Sequence, residues 1–144
     1  MENLLDQMAV WFEAGRSVAL ATVIKTWGSS PRPAGAMMAI TDQGEVNGSV
    51  SGGCVESAVI DAALRVLAEG TPLRLHFGVA NEEAWEVGLS CGGEIEVFVR
   101  VFTRDNLECW REARMRGERF CVALVLEGAM TLKGADWSIF ESGE

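Results

Sequence analysis

The sequence predicts an α/β protein, with an α+β arrangement also open: a mixed β-sheet with helices packed on it. Three observations carry this. Short apolar runs rich in β-branched residues, such as Ser17 to Lys25, are interleaved with one-faced helical patterns, such as Cys54 to Glu69. Glycine and proline clusters punctuate the two kinds of segment. No G-x-G-x-x-G occurs anywhere, so a Rossmann dinucleotide fold with its usual fingerprint is not expected. At 144 residues, 49% of them apolar, the chain suits one domain over 1–144 with an ordinary core.

Each element has a local reason. Asn3 to Ala14 carries Leu4, Leu5, Met8, Val10, Trp11 and Phe12 at mostly helical spacing, and Gly15 offers a C-terminal stop. Trp11 and Phe12 read as core or interface residues. Ser17 to Lys25 reads as a buried strand. Trp27 to Gly35 holds two prolines, two glycines and two serines and must be a loop. Ala36 to Thr41 is the next strand, Asp42-Gln43-Gly44 a turn, and Glu45 to Val50 a returning strand. This unit is expected to bring Arg32 and Cys54 onto neighbouring loops. The helix from about Cys54 to Glu69 has Val55, Val59, Ala62, Ala63, Val66 and Leu67 on one face, and Gly70 and Pro72 end it.

Leu73 to Phe77 alternates as a strand, in which His76 reads as a solvent-facing residue. Asn81 is a candidate N-cap for an acidic helix start, with Glu82 and Glu83 in its first turn. Gly88 to Gly93 is a second glycine loop, and Glu94 to Phe102 a strand. Thr103 or Asp105 caps a helix through Met115 that Gly117 closes. Arg119 to Leu126 is a further strand, and the tail to Glu144 offers one or two edge strands. The motif-bearing core is thus 3–102, and 118–144 supplies C-terminal strands.

Composition excludes several classes of function. A net charge of −9, with no block of like charge, argues against nucleic acid or anionic membrane as partners. Apolar runs are too short to span a bilayer, and the first residues lack the basic start of a signal peptide. Cytoplasm is the expected location, where four cysteines stay reduced unless chemically used. There is no C-x-x-C pair and a single histidine, so a zinc site would need scattered ligands. Cys109 and Cys121 have no glycine neighbours and read as packing residues.

The chemistry concentrates in Gly48-Ser-Val-Ser-Gly-Gly-Cys-Val-Glu56. Gly52 and Gly53 permit a tight turn and a close ligand approach, and Cys54 falls where a helix start favours thiolates and anions. A second cysteine, Cys91, adjoins Gly92 and Gly93 in another turn. Three uses are open: a nucleophilic thiol, soft-metal coordination by Cys54 and Cys91, or an anion cradle of backbone N–H groups with Arg32 as a bidentate clamp. The alternative is that these glycines only make turns and these cysteines pack as small hydrophobes.

The run Gly28-Ser29-Ser30-Pro31-Arg32-Pro33-Ala34-Gly35-Ala36-Met37, followed by Ser51-Gly52-Gly53-Cys54-Val55-Glu56 and Cys91-Gly92-Gly93, resembles the signature of the XdhC/CoxI family. The resemblance covers roughly residues 3–102, with three motifs in the expected order. It implies a non-catalytic accessory protein of xanthine dehydrogenase-type molybdenum hydroxylases. Such a protein binds molybdenum cofactor (molybdopterin), protects it while the metal gains a terminal sulfur from a sulfurase, and delivers it to the apo-hydroxylase. Carried over by motif, Cys54 and then Cys91 are the candidate cofactor and molybdenum ligands. Ser30, Arg32, Gly52, Gly53 and Gly92 would line the pocket.

Glu56 would stand in the first helical turn, as part of a cap or acting on a ligand proton, the cap being preferred. Family members usually carry a C-terminal Rossmann-type domain that is absent here, which implies a separate Rossmann-domain partner or a fragment. A homodimer is a further expectation. The competing readings are a thiol enzyme or sulfur carrier using Cys54, and a protein-interaction domain indifferent to cofactor.

Overall fold

A computed structural model describes residues 2–28, 32–53, 55–78 and 93–116, together with the strand backbones of 119–124 and 136–141. The elements in order are α1 (Glu2–Glu13), β1 (Val18–Trp27), β2 (Met37–Thr41), β3 (Val46–Gly48), α2 (Glu56–Glu69), β4 (Leu73–Phe77), β5 (Glu94–Phe102), α3 (Arg104–Met115), β6 (Arg119–Leu124) and β7 (Asp136–Glu141). Strands and helices fall where the sequence places them, with β3 shorter than expected and α2 beginning at Glu56. The acidic start at Asn81 lies outside the described residues.

Five strands form one sheet in the order β3-β2-β1-β5-β4, and β6 and β7 pair separately. Every pairing is antiparallel, so the expected class holds in its α+β form. β3 and β4 are the outer strands of the five, and α2 links them by crossing one face over β2, β1 and β5.

Period-two alternation assigns the two faces. Ala19, Ala21 and Val23 of β1, Met38 and Ile40 of β2, and Ile95, Val97 and Val99 of β5 pack against Val59, Ala63 and Val66 of α2. The intervening residues Val18, Leu20, Ala39 and Phe102 meet Leu5, Met8 and Trp11 of α1 and Leu107 and Trp110 of α3. Trp11 is therefore a core residue, and Phe12 and Cys109 pack beside the same cluster. Arg100 of β5 is buried as well, its guanidinium 5.2 Å from the Phe102 ring centroid, close enough for a cation–π contact.

Helix ends follow their local chemistry. Gly15, at φ 79°, turns the chain out of α1, with Arg16 N donating to Trp11 O at 2.9 Å. Gly70, at φ 76°, ends α2 and donates to Val66 O. Thr103 and Asn106 form a reciprocal capping box at the start of α3. Arg114 of α3 pairs with Asp6 of α1 at 2.8 Å, holding the Asp6 carboxyl below its usual range, mainly through that hydrogen bond.

Because all pairings are antiparallel, one end of the five-stranded sheet collects the C-terminal ends of β1, β3 and β4 and the N-terminal ends of β2 and β5. The loop after β1, the turn before α2 and the segment between β4 and β5 all leave from this end. The described motif residues Gly28, Gly52, Gly53 and Gly93 therefore lie on connections that leave from this end.

Candidate functional site

The turn from β3 into α2 is built around one carboxylate. Glu56 folds back from the first position of α2. Its Oε1 accepts from the Ser49 hydroxyl at 2.9 Å, from Ser51 N at 3.1 Å and from Val50 N at 3.4 Å. Its Oε2 accepts from the Ser51 hydroxyl at 2.6 Å and from Val55 N at 3.2 Å. The two serines pass the arrangement outward: Ser49 Oγ accepts from Gly52 N at 2.9 Å, and Ser51 Oγ from Val55 N at 3.1 Å. Partial burial would raise the Glu56 pKa, but the Ser51 and Ser49 hydroxyls and the Ser51 and Glu56 backbone N–H groups outweigh it. Together they hold the carboxyl at about 2, down from an ordinary 4.5. This is the local capping role preferred for Glu56, carried out from inside the helix, since Val55 at the N-cap offers no side-chain bond.

Gly52 and Gly53 stand at the tip of this turn, at φ 79° and 121°, and both are exposed. A Cβ placed on Gly53 would meet nothing within 4 Å, so its backbone is bare on that side. The turn is tied to the sheet by Gly48, at φ 92°, and by Ser49 N donating to Met37 O at 3.2 Å.

A second glycine meeting lies at the same end of the sheet. A Cβ on Gly28, just after β1, would stand 3.6 Å from Gly93 Cα. One on Gly78, just after β4, would collide with the Gly93 carbonyl and come within 3.0 Å of Glu94 Cα. The two ends of the β4–β5 connection thus pack backbone to backbone at Gly78 and Gly93, where a side chain on Gly78 would hold them apart, and the loop after β1 lies in ordinary contact beside them. On the sheet face away from α2, Trp27 stacks on His76 with ring centroids 5.4 Å apart, and His76 Nε2 is 3.5 Å from Glu94 Oε2. His76 is exposed, as expected of a solvent-facing strand residue.

Of the residues named from sequence, Arg32, Gly52, Gly53 and Glu56 are described. Arg32 is exposed in the loop that returns to β2, a loop docked on β1 by Gly35 N donating to Val23 O at 2.7 Å. Ser30, Cys54, Cys91 and Gly92 lie outside the described residues, and with them the cysteine pair considered for molybdenum. Among the described residues no cluster of three or more His, Cys, Asp or Glu side chains could hold a metal ion. No described helix is long and apolar enough to cross a membrane. Sequence reasoning missed the part played by Ser49 and Ser51. The signal was present as two hydroxyls on alternate positions ahead of an acidic residue at a helix start, although their separations from Glu56, seven and five residues, match no standard cap.

This arrangement sits inside the segment that comparison with known families picks out. The model of the XdhC and CoxI family matches residues 11–78, from the end of α1 through β4. That stretch is an XdhC and CoxI region. It contains the Arg32 loop and the whole Ser49–Glu56 turn, and the match agrees with the resemblance carried by the motifs. The chain is 34% identical over 99 residues to the uncharacterized protein YqeB of Escherichia coli K12, covering 69% of this chain and 18% of that protein. It is 35% identical over 83 residues to the molybdenum cofactor insertion chaperone PaoD of the same organism, covering 57% and 26%.

A third relative, a probable xanthine dehydrogenase subunit of Bacillus subtilis, is 28% identical over 116 residues, covering 79% and 35%. The chain therefore spans between 18% and 35% of the length of these curated relatives. In fold, the XdhC and CoxI region and its flanks are similar to the crystal structure of a xanthine dehydrogenase from Bacillus halodurans. The TM-score is 0.71 at 24% identity, over 95% of this chain and 41% of that one.

Proposed function

We propose that this chain is an accessory module for xanthine dehydrogenase-type molybdenum enzymes, binding molybdenum cofactor and passing it to the apo-hydroxylase. The observation that carries the reading is the match of residues 11–78 to the XdhC and CoxI family. Similarity to a molybdenum cofactor insertion chaperone supports it. The site suits a carrier: Gly53 offers bare backbone beside the exposed Gly52 at the tip of the turn, and the Glu56 network holds that tip in place through Gly52 N and Ser49 Oγ. Cys54, next in sequence, and Cys91 are the proposed soft ligands for molybdenum, with Arg32, Ser30 and Gly92 at the rim. A chaperone needs affinity without turnover, and no base is required beside the thiols. On the family resemblance alone, we further propose a cofactor sulfurase and a separate Rossmann-domain protein as partners, 1–144 as one module, and a homodimer.

The test is transfer. Cofactor-loaded protein mixed with apo-hydroxylase is expected to give the hydroxylase molybdenum and activity faster than free cofactor does. Equal rates with and without this protein would overturn the delivery reading.

A further inference from the structure

Five donors from the turn before α2 converge on one carboxylate. The N–H groups of Val50, Ser51 and Val55 and the hydroxyls of Ser49 and Ser51 all point at Glu56, and Gly52 N joins them through Ser49 Oγ. Donors converging in this way in a turn just ahead of a helix N-terminus are ordinarily what an external anion binds. Here a side chain of the same chain stands in that position, carrying a full negative charge in the positive end of the α2 dipole.

We infer that Glu56 is a positioning and specificity-determining residue that occupies the anion site of its own helix. It fixes Gly52 at the tip of the turn and keeps inorganic phosphate and other free anions away from α2. The consequence for a ligand rests on the carrier reading above. A molecule with both a phosphate and an uncharged ring system presents its ring side to Gly52 and Gly53, because a phosphate there meets the Glu56 charge. Selectivity follows from the same geometry. A turn that bound phosphate through its own N–H groups would be filled by any abundant phosphate ester, whereas this one is closed to them.

Amide chemical shifts of the unliganded protein, followed while inorganic phosphate is added, test this directly. The wild type is expected to show no saturable shift at Val50, Ser51, Val55 or Glu56. Glu56→Ala, which uncovers the donors, is expected to gain one. Glu56→Gln keeps the size and removes the charge, so it serves if the alanine variant does not fold, and it is expected to bind phosphate more tightly than the wild type. Gly52 amide exchange is expected to quicken about tenfold in Ser49→Ala, in which the carboxylate is intact but the link to Gly52 is cut. Wild type binding phosphate at these amides as tightly as both Glu56 variants would overturn the inference, as would unchanged Gly52 exchange in Ser49→Ala. Neither measurement uses cofactor. A wild type that shows these behaviours but fails to retain molybdenum cofactor would overturn the functional proposal and leave the role of Glu56 standing.

Discussion

The Ser51 hydroxyl donates to Glu56 Oε2 at 2.6 Å, while Ser51 N donates to the other carboxylate oxygen at 3.1 Å, so one serine grips both ends of the carboxylate. Hydroxyl and backbone of a single residue thereby fix the torsion of the turn that carries Gly52 and Gly53.

That grip has a pH signature. The Glu56 carboxyl is held at about 2 in the folded protein against an ordinary 4.5, so its contribution is complete above about pH 4.5 and fades as pH falls toward 2. Glu56→Gln is expected to cost about 2 kcal/mol at neutral pH, the scale of hydrogen bonds to a charged group. Denaturant unfolding of both proteins from pH 7 to 2 checks the sign. The gap between them should narrow as pH falls below 4.5. A constant gap would show that the charge contributes nothing.

Glycines at the strand ends of the sheet differ in what they must avoid. Gly44, at φ 79°, has nothing within 4 Å of a Cβ, so Gly44→Ala should cost only the left-handed backbone term of about 1 kcal/mol. Gly48 and Gly78 also have positive φ but face the Met37 and Gly93 carbonyls inside contact distance. Gly48→Ala and Gly78→Ala should each cost about 3 kcal/mol, backbone strain and overpacking together. Thermal unfolding of the three variants gives the order directly, and equal losses would contradict the close approach.

The capping box of α3 makes a smaller, cleaner prediction. Thr103 Oγ1 accepts from Asn106 N at 3.1 Å, and Asn106 Oδ1 accepts from Thr103 N at 3.1 Å. Thr103→Ala should lower stability by about 1 kcal/mol and leave the turn before α2 untouched. A loss accompanied by altered amide shifts at Gly52 would contradict the independence of the two ends.

Much of this was legible in the sequence because the strands are short, apolar and bounded by glycine. The alternation of β5, Ile95-Glu96-Val97, faithfully reports which side meets α2. Gly15, Gly70 and Thr103 end or begin helices for reasons that are purely local. What could not be read was long-range placement. Antiparallel pairing of β1 with β5 sets Trp27 opposite Glu94, and only that pairing brings Gly28 to Gly93. Burial of Arg100 also escaped, since a charge on a strand reads as solvent-facing until two helices are laid over it. At the site, the Gly-Gly-Cys run suggested backbone donors waiting for an anion. The carboxylate of Glu56 instead gathers the N–H groups on either side of that run, those of Val50, Ser51 and Val55, and reaches Gly52 N only through Ser49 Oγ, by a turn geometry that spacing alone does not specify.

If Cys54 and Cys91 hold the metal, Cys54→Ala with Cys91→Ala should abolish molybdenum retention, while the stability of the protein changes little. Retention equal to the wild type would remove the thiols from the account.

Titration of the purified, reduced protein with molybdenum cofactor, followed by separation of bound from free and metal analysis, tests the central claim most directly. The account predicts stoichiometric molybdenum in the protein fraction, undiminished by added inorganic phosphate. A protein fraction with no molybdenum above background would contradict it.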